Sequence, residues 1–280
     1  MKRIIVTADD YGMSRGVNDA IDEGIAKGLI TSTNVMTNMA FYKEASKLRG
    51  TNVSVGLHWT ISAGKPVCKP EEIPSLVDEN GNFFKYSEFR NRYRKGEIKD
   101  DDIIKELKAQ YERFKEVCGE PDYWNTHQNT HVDFKIFKLF VLVAKELNIR
   151  KMRSHQRIYV VSSDGKTTMS LVWRLLEPIK REILRSWMRF ASKNGMKSPY
   201  GLIVPLKNKD LKNPQYIFSS VNQNENIISE YVIHPSTVID SEFFGNIGSA
   251  RIDEYKQFTS DEQKEILSDN NFTLVTFNEI

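Results

Sequence analysis

The sequence predicts an α/β fold on a parallel sheet, as one domain over residues 1–280, and three observations carry that prediction. Short apolar runs of strand length alternate with segments of helical period, the pattern of parallel strands joined by crossover helices. The length of 280 residues fits a single (β/α) barrel, which typically has about 250. Four of the five histidines, together with an Asp-Asp pair, stand directly after strand-like runs: Ala8-Asp9-Asp10-Tyr11-Gly12, Gly56-Leu57-His58, Asn125-Thr126-His127 with His131, and Val232-Ile233-His234-Pro235.

Residues 4–8 read as a buried strand. Ser14 is placed to cap a helix whose Val17, Ile21 and Ile25 are spaced by four, and Gly28 closes it. Residues 32–36 form a second strand, 41–48 a second helix, and 53–57 a third strand that ends at His58. Over 62–100 the alternation breaks into Gly64, Pro66, Pro70, Pro74, Gly81 and a polar stretch. This is long for a plain connection, and such an insertion often lies over an active site. Helical period returns at Ile103, Leu107, Tyr111 and Phe114 and stops at Gly119 and Pro121, before a strand over 123–126. Residues 134–147 are the next helix, 151–153 a strand end, and 154–199 a second insertion, partly helical. A strand over 231–233 ends at His234; Ser260 and Gln263 have capping-box spacing for the last helix, and 272–277 makes a final strand.

Composition narrows the function. No run approaches the roughly 18 apolar residues that a membrane helix needs, which points to a soluble protein without a membrane partner. The apolar start is too short for a signal peptide and runs straight into Asp9-Asp10. Cys68 and Cys118 are far apart and show no ligand spacing, which suits a reducing cytoplasm. The net charge of +3 is small. A basic patch over 180–197 places Arg181, Arg185 and Arg189 on one helix face, and it reads as a solvated face rather than a nucleic-acid surface, since no nucleic-acid module accompanies it.

Side chains at the C-terminal ends of parallel strands share one mouth. Asp10, His58 and His127 would meet there, and a carboxylate with two neutral imidazoles makes a divalent-metal site with open positions. Neighbouring carboxylates on a regular strand point opposite ways, so Asp9 is left free of the metal to accept a proton from water. His234, arriving late in the chain, titrates where a proton can be handed to a leaving group. Arg153 could orient Asp9 or hold an oxyanion. Taken singly, each signal has a bland reading: Asp-Asp-Tyr-Gly as a turn, His155 as structural or exposed, and Tyr11, Trp59 and Trp124 as core. His131 fits a ligand, a support for one, or a substrate contact.

Together these residues resemble the YdjC-like family, which includes the chitooligosaccharide deacetylases. Residues 8–14, 28–33 and Asn38 are similar to its N-terminal signature, Gly56-Leu57-His58 with Thr60 and Gly64-Lys65-Pro66 to its second motif, and 74–78 with Gly81 and Phe83 to the loop that follows. Thr126-His127-Gln128, His131, Arg153 and His234-Pro235 continue the match in order. The resemblance implies a distorted (β/α) barrel of the polysaccharide-deacetylase kind, and hydrolysis of an N-acetyl group from an amino sugar or chitooligosaccharide. It implies Asp10, His58 and His127 as metal ligands, Asp9 as base and His234 as acid. One divalent ion is implied: magnesium by resemblance, zinc by ligand softness. A homodimer is a family-level expectation. Where the family usually has Asp-Ser-His-Gln-His-Val-His, this chain has Asn125-Thr126-His127-Gln128-Asn129-Thr130-His131, and 154–226 match weakly. Two rival readings are a carbohydrate-binding relative without turnover and a phosphoester hydrolase, which would need a second metal.

Overall fold

The computed structural model describes residues 2–130, 133–160, 171–205, 227–269 and 271–280. Its strands are β1 (Lys2–Tyr11), β2 (Ser32–Val35), β3 (Ser54–Trp59), β4 (Trp124–Thr126), β5 (Arg157–Val160), β6 (Gly201–Pro205), β7 (Ile228–Ile233) and β8 (Phe272–Leu274). They run parallel in the order β4-β3-β2-β1-β7-β6-β5, with β8 added against the start of β1. The path curls back on itself. Trp124 of β4 bridges Met152, and Lys151 bridges Lys197, so the segment leading into β5 touches the opposite edge of the sheet. The result is the expected distorted (β/α) barrel.

Strand β1 is its centre, and Ile4, Ile5, Val6 and Ala8 are wholly buried because the sheet is covered on both faces. Helix α1 (Arg15–Ala26) starts where Ser14 Oγ accepts from the Val17 amide at 3.2 Å. Helices α2 (Tyr86–Arg94) and α3 (Asp100–Cys118) follow; three aspartates in the first turn of α3 oppose the helix dipole favourably. Helix α4 (Phe134–Glu146) is capped by Asp133, and α5 (Leu171–Lys193), α6 (Gly248–Gln257) and α7 (Asp261–Asp269) complete the set.

Several elements differ from expectation, the last strand among them, which stops at Leu274 ahead of a 3-10 turn over Phe277–Glu279. Residues Tyr42–Leu48 form a 3-10 helix, because the buried Ala45 and Leu48 are three apart and a three-residue period serves them. The first insertion carries α2. The second is partly helical as expected, but it also contributes β5 to the sheet, and β6, just beyond its end, pairs parallel to β5; residues 161–170 and 206–226 lie outside the described residues, as does His131. Arg185 and Arg189 of the basic patch pair with Glu182 on the exposed face of α5, a solvated arrangement.

Packing beneath the site is tight around Tyr123. Its ring stacks on Phe277 at 3.7 Å between centroids, and its hydroxyl accepts from Ser32 Oγ at 2.8 Å and donates to the Thr33 carbonyl at 3.2 Å. A Cβ at Gly56 would stand 2.6 Å from that ring. Since the ring is pinned on three sides, Gly56→Ala should cost about 1–3 kcal/mol of stability, read from urea unfolding. An unchanged midpoint would mean that Tyr123 moves freely.

Candidate active site

Asp9 and Asp10 both reach the mouth, contrary to the rule of alternation. The register of β1 on β2 goes from Ala8↔Thr33 to Tyr11↔Val35, so three steps on β1 face two on β2, a bulge. Asp10 takes it up with a φ of 77°, a left-handed conformation that costs an L residue about 1–3 kcal/mol. The kink turns neighbouring carboxylates onto one cavity. Strand β3 delivers His58, the end of β4 delivers His127, and β7 ends at His234. Arg153 follows the bridging segment, its amide donating to the Trp124 carbonyl at 3.2 Å.

Asp10, His58 and His127 come together: each offers an atom within 4.8 Å of the others, and all three residues are buried. Asp10 Oδ1 lies 3.0 Å from His127 Nδ1 and 3.2 Å from His58 Nε2. The other Asp10 oxygen accepts from Arg251 Nη2 at 2.5 Å. Burial alone would raise the Asp10 carboxyl, but the charge of Arg251, and then His127, hold it well below the usual carboxylate range.

Asp9 is clamped. Arg153 Nη1 and Nη2 donate to its two oxygens at 2.7 Å each, and Nε and Nη2 of the same guanidinium donate to Glu230 at 3.0 and 2.9 Å. Burial opposes the ionised form of Asp9, yet Arg153 outweighs it and keeps the group a carboxylate far below its ordinary range. Burial raises Glu230. Most donors of the Arg153 guanidinium are thus engaged by Asp9 and Glu230. His234 Nε2 stands 3.8 Å from Asp9 Oδ2, and about a third of its side chain reaches the cavity. Burial pushes its pKa down to about 4, so it is neutral at pH 7. Its amide donates to Glu254, which burial raises to about 7.

These groups, apart from the fully buried Glu230, line a cavity of about 740 Å³, large enough for a small sugar, with Phe243 and Phe244 on its wall. The donors suit a cation. Asp9, Asp10 and Glu230 meet the two guanidiniums of Arg153 and Arg251, which leaves a negative excess when all three are ionised. Trp59 and Trp124 pack against each other at 5.3 Å and are buried with Tyr11, so all three are core. His155 lies edge-on to Phe137 at 4.9 Å, away from the cavity lining.

Arg251, Glu230, Glu254 and Asn34, whose Nδ2 donates to Asp9 Oδ1 at 2.5 Å, were not legible as site residues from spacing. Glu230 left one trace, a carboxylate inside an apolar strand. Arg251 and Glu254 sit on α6, away from every strand end. Phe244 covers Arg251 at 4.4 Å.

The chain is 28% identical to a carbohydrate deacetylase of Clostridium beijerinckii over 283 aligned positions, covering 99% of this chain and all of that protein. It is 32% identical to a chitooligosaccharide deacetylase of Yersinia enterocolitica over 59% of this chain and 66% of that one. A crystal structure from Enterococcus faecalis, provisionally assigned to cellobiose-phosphate cleavage, superposes with a TM-score of 0.74 at 19% identity, covering 99% of this chain and 98% of the other, and so shows the same fold. The model of the YdjC-like protein family matches residues 3–269, nearly the whole length and every residue of the cavity's polar floor, so the chain belongs to the YdjC-like family.

Proposed function

We propose that this protein is a metal-dependent hydrolase that removes the N-acetyl group of an acetylated amino sugar or chitooligosaccharide. The observation that carries the reading is the meeting of Asp10, His58 and His127 on one cavity with Asp9 and His234. The relatives' names, carbohydrate deacetylase and chitooligosaccharide deacetylase, supply the reaction class.

Asp10, His58 and His127 would hold one divalent cation, which when bound polarises a carbonyl and acidifies water. The two imidazoles favour zinc and the family resemblance favours magnesium; metal analysis of protein purified without chelator decides between them. Asp9 accepts the proton that the attacking water must lose. Arg153 on both its oxygens makes it a weak base with a fixed direction, suited to a donor that is already acidified. His234 enters neutral, takes the proton across the 3.8 Å gap from Asp9 after a small shift, and returns it to the departing nitrogen. The C–N bond breaks, the water oxygen stays on the acyl carbon, and acetate and a free amine leave. Among the described residues only this group could hold a metal, so the paired metals of phosphoester hydrolysis find no second group.

Replacing His58 or His127 with alanine should abolish stoichiometric metal and lower acetate release from diacetylchitobiose by more than about 100-fold. Full turnover by metal-free protein would end the proposal. His234→Ala should keep its metal and lose about 10²–10⁴-fold in kcat, as expected for a proton-transfer group; loss of metal from this variant would make His234 a ligand instead.

A further inference from the structure

The amide of Asn125 stands between His58 and Arg153 and can face either way. With its oxygen toward His58 it accepts from Nδ1 at 2.5 Å, but its nitrogen then faces the Arg153 guanidinium and reaches only Asp9 Oδ1, at 3.4 Å. Turned over, its nitrogen donates to His58 Nδ1 at 2.5 Å, and its oxygen accepts from Arg153 Nη1 and Nη2 at 2.9 Å each and from Asn34 Nδ2 at 3.0 Å. The second orientation gives both amide atoms matching partners. A nitrogen facing N–H donors inside a buried site is costly, so the turned-over amide prevails when His58 is free.

The two orientations demand opposite tautomers. When the Asn125 nitrogen donates to Nδ1, that atom presents its lone pair and the proton sits on Nε2, which faces Asp10 Oδ1 3.2 Å away. A cation held through Nε2 needs the reverse: a lone pair on Nε2 and a proton on Nδ1, which the Asn125 oxygen must then accept. We propose that Asn125 is a positioning residue that stores His58 in the tautomer unable to bind metal, and that its amide turns over, giving up Arg153 and Asn34, when a cation binds. The inference rests on the metal reading above. It deepens that reading, because Arg153 is the residue that directs Asp9: cation capture and the Asp9 clamp share one side chain. A carboxylate in place of the amide would accept from His58 Nδ1–H and from Arg153 together and would have nothing to turn.

The test is nitrogen-15 NMR of histidine-labelled full chain at pH 7.5, with His58 assigned by its absence from His58→Gln, before and after adding zinc. The metal-free protein should show His58 protonated on Nε2, and zinc should move the proton to Nδ1. Asn125→Asp should show Nδ1–H before any zinc and bind zinc about 10–100-fold more tightly by calorimetry. Tighter binding without the change of tautomer would reflect added charge alone and would overturn the inference. If that variant does not fold, Asn125→Ala, lacking the donor, should show a mixture of both tautomers in the metal-free protein. Nδ1–H in the metal-free parent protein would also overturn the inference. Failure of both zinc and magnesium to bind the parent protein sinks the metal reading itself, whereas zinc that binds without altering His58 sinks only the role of Asn125.

Discussion

The guanidinium of Arg153 is the contact on which the rest depends. It is buried at the centre of the curled sheet and holds Asp9 of β1 and Glu230 of β7 at the same time. A carboxylate removed from water remains ionised only when a cation or donors replace its hydration. Without Arg153, Asp9 and Glu230 would be like charges on neighbouring strands, and one would be forced to take up a proton. The closing of the barrel is therefore bound up with the chemistry: the bridge from Trp124 to Met152 shuts the sheet and in the same stretch brings in the residue that neutralises its floor.

The second constraint is the bulge at Asp10. A regular strand would have sent one of the two aspartates away from the cavity. The extra residue gives the site two carboxylates with different partners: Asp9 under Arg153, and Asp10 between the imidazoles and Arg251. Identical side chains, next to each other in sequence, thus acquire separate partners from geometry alone. The strain at Asp10 is local and is offset by the contacts that the kink makes available.

Much of this was legible in the residues themselves. Strand ends are marked by short apolar runs, and a histidine or aspartate just after such a run is conspicuous, so Asp9, Asp10, His58, His127 and His234 stood out before any coordinates. Arg153 was visible for the same reason, as a charge at the end of a short strand. What escaped was either turned the wrong way or carried on the wrong kind of element. The bulge leaves no signature in composition, and spacing alone argued that the two aspartates diverge. Arg251 and Glu254 lie one turn apart on a helix whose polar surface reads as exposed, although both are buried. Strands β5 and β6 were hidden because their short segments flank a long helix and resemble irregular chain. Residues 41–48 showed a period that two helix types can share.

The pairing of β8 with the start of β1 sets an order of events for the newborn polypeptide. Strand β1 lies in the middle of the sheet, and of its three partners only β2 is near in sequence; β7 and β8 are made long after it. Contacts of such wide sequence separation are slow to form, since the intervening loop must close before it is rewarded. While the ribosome extends the chain, one side of the central strand therefore waits open, apolar and unpaired. An edge left open in this way is the kind that pairs with other chains unless it is shielded.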